Sequence, residues 1–266
     1  MPYAISGTTR IHYEVEGDGP PLLLHTGFVS SIPDWYTLGY VDGLKHDFRL
    51  IMLDPRGQGE SDKPHSTEAY TPEQRVDDVV AVLDAAAVER THFWGYSLGG
   101  RVGFDVAVLR PDRLVSVILG GSSPFESPPN VAWHELLRDG VAALMDSLKT
   151  TPGFSPPPPA LFERWLANDS EALAAAALVE RPSLEAHLDA IKLPMLVYCG
   201  DQDLAYERAK RAAAALPNAT FVALPGLDHM AAIVNSDGVL REARVFLTRT
   251  SAQVGSAAAR GMSSST

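Results

Sequence analysis

Hydrophobic residues in this chain gather in short unbroken runs, with longer periodic stretches between them. "FRLIMLD", "RTHFWGY", "RLVSVILGG", "LPMLVYCGD" and "ATFVALPG" are each rich in Val, Ile, Leu or aromatic residues and stop close to Gly, Asp or Pro. The N-terminal "YAISGTTRIHYEVEGDGPPLLLHTG" adds two alternating strands around a glycine turn and then a continuous apolar one. A strand that is apolar at every position is covered on both faces, as in a parallel sheet flanked by helices. Between these runs the period becomes helical. "TPEQRVDDVVAVLDAAA" opens with Thr71 as N-cap and Pro72 at the first helical position, and Val76, Val79, Val80 and Leu83 form its apolar stripe. "LAYERAKRAAAALP" and "VLREARVFLTR" repeat the theme. Eight strands alternating with helices predict an α/β fold with a mainly parallel sheet and helices on both faces.

One segment breaks the alternation. Residues 124–192 contain no convincing strand but several amphipathic stretches carrying Trp133, Leu136, Phe162, Trp165 and Leu173. A helical insertion between two sheet strands is expected to form a cap over a core made of residues 1–123 and 193–250. Within it "GFSPPPP" is expected to be a stiff connector. Residues 251–266, small and polar without periodicity, predict a mobile tail.

Composition narrows the class without naming a partner. The chain has 266 residues, 45% of them hydrophobic and 21% charged, an ordinary globular balance. With 22 basic against 33 acidic residues the net charge is −11, which argues against nucleic acid as a partner, because neutralising phosphates takes a basic face. Cys199 is the only cysteine and sits in a strand run, so it is expected to be a buried apolar-like residue rather than half of a disulfide. The N-terminus has no basic segment followed by an apolar run, and no run approaches the ~20 apolar residues of a membrane span. A cytoplasmic protein with no membrane partner is expected.

Candidate chemistry centres on "THFWGYSLGG". Gly95 lies two residues before Ser97, and Gly99 and Gly100 two and three after it, at the junction of a strand and a helix. A sharp turn there needs glycine on either side and holds the hydroxyl at the sheet's C-terminal edge, beside the N–H groups of the helix start. Here the sequence resembles the α/β-hydrolases, over about residues 5–248. "LLLHTGF" is similar to that family's histidine–glycine loop, "DPRGQGESDKP" to its D-x-R-G-x-G-x-S segment and "GYSLGG" to its nucleophile elbow. "CGDQD" resembles the acid loop and "PGLDHM" the histidine loop. The resemblance implies an eight-stranded α/β-hydrolase sheet with Ser97 as nucleophile, His229 as base and Asp203 as acid. Asp201 is the competing acid, expected instead to hold its loop, and Asp228 is expected to be a turn residue. Leu98 would give one oxyanion N–H. The second would come from Phe28 or Gly27, because Thr26 stands where the family commonly has glycine. His25 would shape that loop, and "DPRGQGES" would be a turn locked by Asp54 and Arg56. The remaining histidines share no ligand spacing, so neither a metal nor another cofactor is expected.

Serine rather than aspartate in the elbow disfavours the dehalogenases and epoxide hydrolases of the same fold. A serine with an imidazole and a carboxylate suits acyl transfer to water. The expected activity is hydrolysis of carboxylic esters, or related lactones and thioesters, on small or medium, apolar and uncharged substrates. Trp133, Trp165 and Phe125 would line the substrate site, or else glue the insertion to the sheet. Two rivals stand beside this reading. "GYSLGGR" also resembles the elbow of the lyase SHCHC synthase, where Arg101 would meet an acidic substrate, and the fold also serves as a small-molecule receptor.

Overall fold

Eight strands form one sheet in the order β1-β2-β4-β3-β5-β6-β7-β8. In the computed structural model, which describes residues 2–263 and side chains as far as Ser251, these are β1 (Tyr3–Ser6), β2 (Thr9–Glu16), β3 (Pro21–His25), β4 (Arg49–Leu53), β5 (Thr91–Tyr96), β6 (Leu114–Gly120), β7 (Met195–Gly200) and β8 (Ala219–Leu224). Every one falls within a stretch that the sequence marks as a strand, β1 and β2 in the two alternating stretches and the rest in the apolar runs. β2 runs antiparallel to both of its neighbours, β1 and β4, and all the other neighbouring pairs are parallel.

Register explains why the central runs are apolar at every position. One row of neighbours crosses the sheet through Ile51, Leu23, Phe93, Val117 and Met195. All five join the core on one face, and their neighbours Leu22, Leu24, Leu50, Met52, Trp94, Ile118 and Leu196 join the core on the other. Helices α3 (Pro72–Ala85), α4 (Leu98–Leu109) and α9 (Tyr206–Ala215) cover the first face. The second is covered by α1 (Ile32–Thr37), α2 (Tyr40–Leu44), α10 (His229–Val234) and α11 (Ser236–Ser263). Thr71 caps α3 by accepting from the Gln74 N–H, as its sequence predicts. The buried stripe of α3 is Val76, Val79, Val82 and Leu83; Val80 is only half-buried, because Val82 lies closer to the middle of the face that meets the sheet.

The segment between β6 and β7 holds four helices: α5 (Val131–Arg138), α6 (Val141–Leu148), α7 (Pro159–Leu166) and α8 (Ser170–Ala177). Its two ends meet in one antiparallel bridge, Ser127 to Arg181, with both backbone hydrogen bonds at 2.9 Å. Arg101, on α4, anchors this junction. Its buried guanidinium pairs with Asp105 and donates to the carbonyls of Phe125 (3.0 Å) and Pro182 (2.7 Å). The far side is tied to the core at Asp34 of α1, which accepts from Arg164 Nε and Trp165 Nε1, each at 2.8 Å.

α11 continues past Ser251, where the sequence led us to expect a tail; the side chains of 252–263 and residues 264–266 lie outside the described residues. Among the described residues no helix is long and apolar enough to cross a membrane.

Candidate active site

Ser97 sits between β5 and α4 with φ 55° and ψ −112°, a conformation that L-residues adopt only where the surroundings hold them. Its N–H donates to Gly120 O at 2.8 Å, and the glycines make room for the turn. A Cβ on Gly95 would lie 2.1 Å from Gly99 O, and one on Gly99 would lie 2.1 Å from His25 O. Both obstacles are backbone, so neither can swing aside.

The turn delivers Ser97 Oγ to within 3.0 Å of His229 Nε2, while His229 Nδ1 lies 2.7 Å from Asp203 Oδ2. A carboxylate can only accept, so Nδ1 carries the proton and Nε2 turns its lone pair to the serine hydroxyl. His229 is the first residue of α10, with Asp228 as N-cap accepting from Ala231 N–H at 2.8 Å. Burial alone would raise the Asp203 pKa, but the hydrogen bond and charge of His229, together with the Ala205 N–H, hold it below the ordinary carboxylate value. Asp201 points elsewhere: its Oδ1 accepts from Gly226 N–H at 2.8 Å and from Gln202 Nε2. The other histidine of the neighbourhood, His25, is fully buried and its pKa is lowered to about 4 by burial, so it stays neutral.

The loop opposite Ser97 is held by a residue that the sequence did not single out. Gln58 Nε2 donates to Gly27 O (3.0 Å) and Ser30 O (2.8 Å), while its Oε1 accepts from Val29 N–H (3.1 Å). Gly27 approaches so closely that a Cβ there would be 3.3 Å from Ser97 Cβ. Among the described residues, the N–H groups of Gly27, Phe28 and Leu98 have no protein acceptor. Behind this loop the "DPRGQGES" turn is rigid. Asp54 accepts from His12, Ile32 N–H and Glu60 N–H, and Arg56 clasps Asp78 through two nitrogens.

The stretch expected to be a plain connector crosses the site. Gly153 O accepts from His229 N–H at 3.1 Å, the Phe154 ring stacks on the His229 ring at 5.9 Å, and Ser155 bonds to Asp228. Two cavities open on Ser97. The smaller, about 80 Å³, is apolar and lined by Leu144, Met145, Leu161, Trp165 and Ile233. The larger, about 430 Å³, is lined by Phe125, Ser127, Trp133, Arg181 and Arg208. Phe28, Trp133, Phe154 and His229 face both. Trp133 and Trp165 therefore reach the cavities, although Trp165 also ties the insertion to Asp34. Phe125 touches the larger cavity from a buried position, with Arg211 stacked 3.5 Å over its ring. Gln58, Asp34 and Arg181 escaped the sequence because each acts through a contact more than 25 residues away in the chain, which no local pattern encodes.

A strained serine at the C-terminal edge of a mostly parallel eight-stranded sheet, facing a late histidine, is the arrangement of the α/β-hydrolase enzymes. The chain belongs to the alpha/beta hydrolase fold family, whose model matches residues 20–162. A relative from Variovorax paradoxus (strain S110), provisionally named a carbamate hydrolase, is 30% identical over 91% of this chain and 97% of its own. One from Bacillus subtilis (strain 168), provisionally named 2-succinyl-6-hydroxy-2,4-cyclohexadiene-1-carboxylate synthase, is 26% identical over 75% of this chain and 81% of its own. Among solved structures, the enol-lactonase of Burkholderia xenovorans LB400 superposes with a TM-score of 0.81 at 27% identity, covering 93% of this chain and all of that one. Among the described residues no cluster of three or more His, Cys, Asp or Glu side chains is placed to hold a metal.

Proposed function

We propose that this protein is a serine hydrolase that cleaves carboxylic esters or lactones of small molecules through an acyl-enzyme. The reading is carried by the continuous hydrogen-bonded line from Ser97 Oγ to His229 to Asp203. In acylation Ser97 Oγ attacks the substrate carbonyl carbon while His229 Nε2 takes the hydroxyl proton. Asp203 fixes the tautomer and stabilises the imidazolium. The oxyanion receives the Leu98 N–H and a second from Phe28 or Gly27, all three being free of protein acceptors. His229 then returns its proton to the leaving oxygen, a water enters, and the same steps in reverse release the acid. No cofactor takes part. The names of two similar proteins, an enol-lactonase and a provisional carbamate hydrolase, are in keeping with acyl transfer to water. Lyase chemistry is the less favoured reading, because Arg101, which the sequence offers to an acidic substrate, spends its donors on Asp105 and two carbonyls. The acidic composition suits a cytoplasmic setting.

A fluorophosphonate probe tests the mechanism. It is expected to add to Ser97 and nowhere else, and Ser97→Ala is expected to abolish labelling while the melting temperature holds. Labelling that survives the substitution overturns the nucleophile. A labelled protein that turns over no ester, lactone or carbamate overturns the hydrolase reading in favour of a receptor.

A further inference from the structure

The larger cavity contains an unmatched charge. Arg181 lines it with Ser97 and His229, and among the described residues its guanidinium has no ion pair or hydrogen bond. Its backbone is not free to wander, since both its N–H and its C=O are paired with Ser127. Next to it, Pro182 O is gripped by Arg101. The side chain is thus presented to the cavity from a fixed base.

Its surroundings deepen the imbalance. Arg56 is matched by Asp78 and Arg101 by Asp105. Arg75 and Arg181 are then left over, four guanidiniums against two carboxylates. Arg75 Nη1 is buried with no partner, and burial lowers the Arg75 pKa to about 10, with Arg181 adding to the effect. Burial likewise lowers the Arg181 pKa, aided by Arg101, while Asp105 opposes it. Among the described residues the one acid in the cavity wall, Asp203, is committed to His229. In a chain of net charge −11, this is a local excess of positive charge beside the site. An uncompensated guanidinium withdrawn from water is unfavourable, and a planar carboxylate that accepts two of its N–H groups relieves that cost.

We propose that the substrate carries a carboxylate, received by Arg181 in the larger cavity, while the small apolar cleft takes the other side of the scissile bond. This deepens the proposed function and rests on Ser97 being its nucleophile. It replaces the uncharged substrate that the sequence led us to expect. Ser97 lies where the two cavities meet, so an ester or lactone carbonyl there would have one polar, anionic arm and one short, apolar arm. Arg181 acts in binding the substrate and takes no part in bond making.

The test compares kcat/KM for matched esters with the charge on either side of the carbonyl. Monomethyl succinate is set against methyl pentanoate, and acetoxyacetate against its amide, with wild type, Arg181→Met and Arg181→Lys. Wild type is expected to favour the anionic member of at least one pair by tenfold or more. Arg181→Met is expected to reduce that ratio at least tenfold, mainly by raising KM for the anionic ester; Arg181→Lys is expected to restore part of the ratio. A wild type that favours the neutral member of both pairs overturns the proposal, as does a ratio unchanged in Arg181→Met. If Arg181→Met does not fold, inhibition of wild-type methyl pentanoate hydrolysis decides: succinate is expected to inhibit more strongly than succinamide, and equal inhibition overturns the anion site. Fluorophosphonate labelling of wild-type Ser97 keeps the two readings separable, because its failure removes the nucleophile, whereas its success with no anionic preference removes only the carboxylate.

Discussion

Two aspartates on one loop differ more than their spacing suggests. Asp203 faces His229 Nδ1 at 2.7 Å, whereas Asp201 holds the Gly226 N–H. Asp203→Asn is therefore expected to lower kcat on the order of 10⁴-fold, the loss seen when the orienting carboxylate of a serine triad is neutralised. Asp201→Asn, which keeps an oxygen for Gly226, is expected to cost less than about 1–3 kcal/mol of stability with modest kinetic loss. Steady-state assays of both variants on one ester check this, and the reverse ranking moves the acid to Asp201. Two buried histidines other than His229 make stability depend on acid. Burial lowers the pKa of both His25 and His92 to about 4. The unfolded chain takes up these protons near ~6.5, so it binds more protons than the folded protein between there and about 4. Stability from these two groups is complete above that window and is lost as pH falls through it, by up to about 2.7 kcal/mol per pH unit. Urea unfolding at pH 7, 6 and 5 checks the slope, and His92→Gln is expected to halve it. At this scale the sequence carries the residues that local motifs mark, Ser97, Asp203 and His229, which the fold brings into one hydrogen-bonded line. It is silent on Gln58 and Arg181, whose meaning depends on who faces them.

Elements were the most legible level, because a period of two or of 3.6 is written in neighbouring residues. All eight strands fall in their expected runs, and α3 starts at its expected cap. What escaped was either short or lacking in period. α1 and α2 span only six and five residues, and "GFSPPPP" has no period to betray that it lies against His229. The elbow is the element most sensitive to a single methyl group. Gly95→Ala places its Cβ against backbone that cannot move without shifting the first turn of α4. It is expected to cost about 1–3 kcal/mol or more, and to lower the rate of fluorophosphonate labelling further than that destabilisation alone accounts for. A stable, normally labelled Gly95→Ala protein contradicts this account of the turn.

In the whole molecule, the helical insertion is joined to the sheet at both extremes, by Arg101 at its ends and by Asp34 at its far side. Asp34→Ala removes the acceptor for Arg164 and for the Trp165 indole, and is expected to cost about 1.5–3 kcal/mol. Amide exchange should speed up in α7 and α1 and stay slow in β5 and α4, with Ser97 still labelled but esters bound less selectively. Uniform exchange across the chain would mean that Asp34 is not the tie. The single bridge between Ser127 and Arg181 has a wider consequence. Some fifty residues leave and rejoin the sheet at adjacent points, so the insertion is a cassette whose replacement need not disturb the β6–β7 register. A chimera carrying a foreign insertion between these two positions would keep Ser97 and the proposed base and acid while exchanging most of the walls of the two cavities. Along this route a lineage can change what it consumes without rebuilding how it cuts.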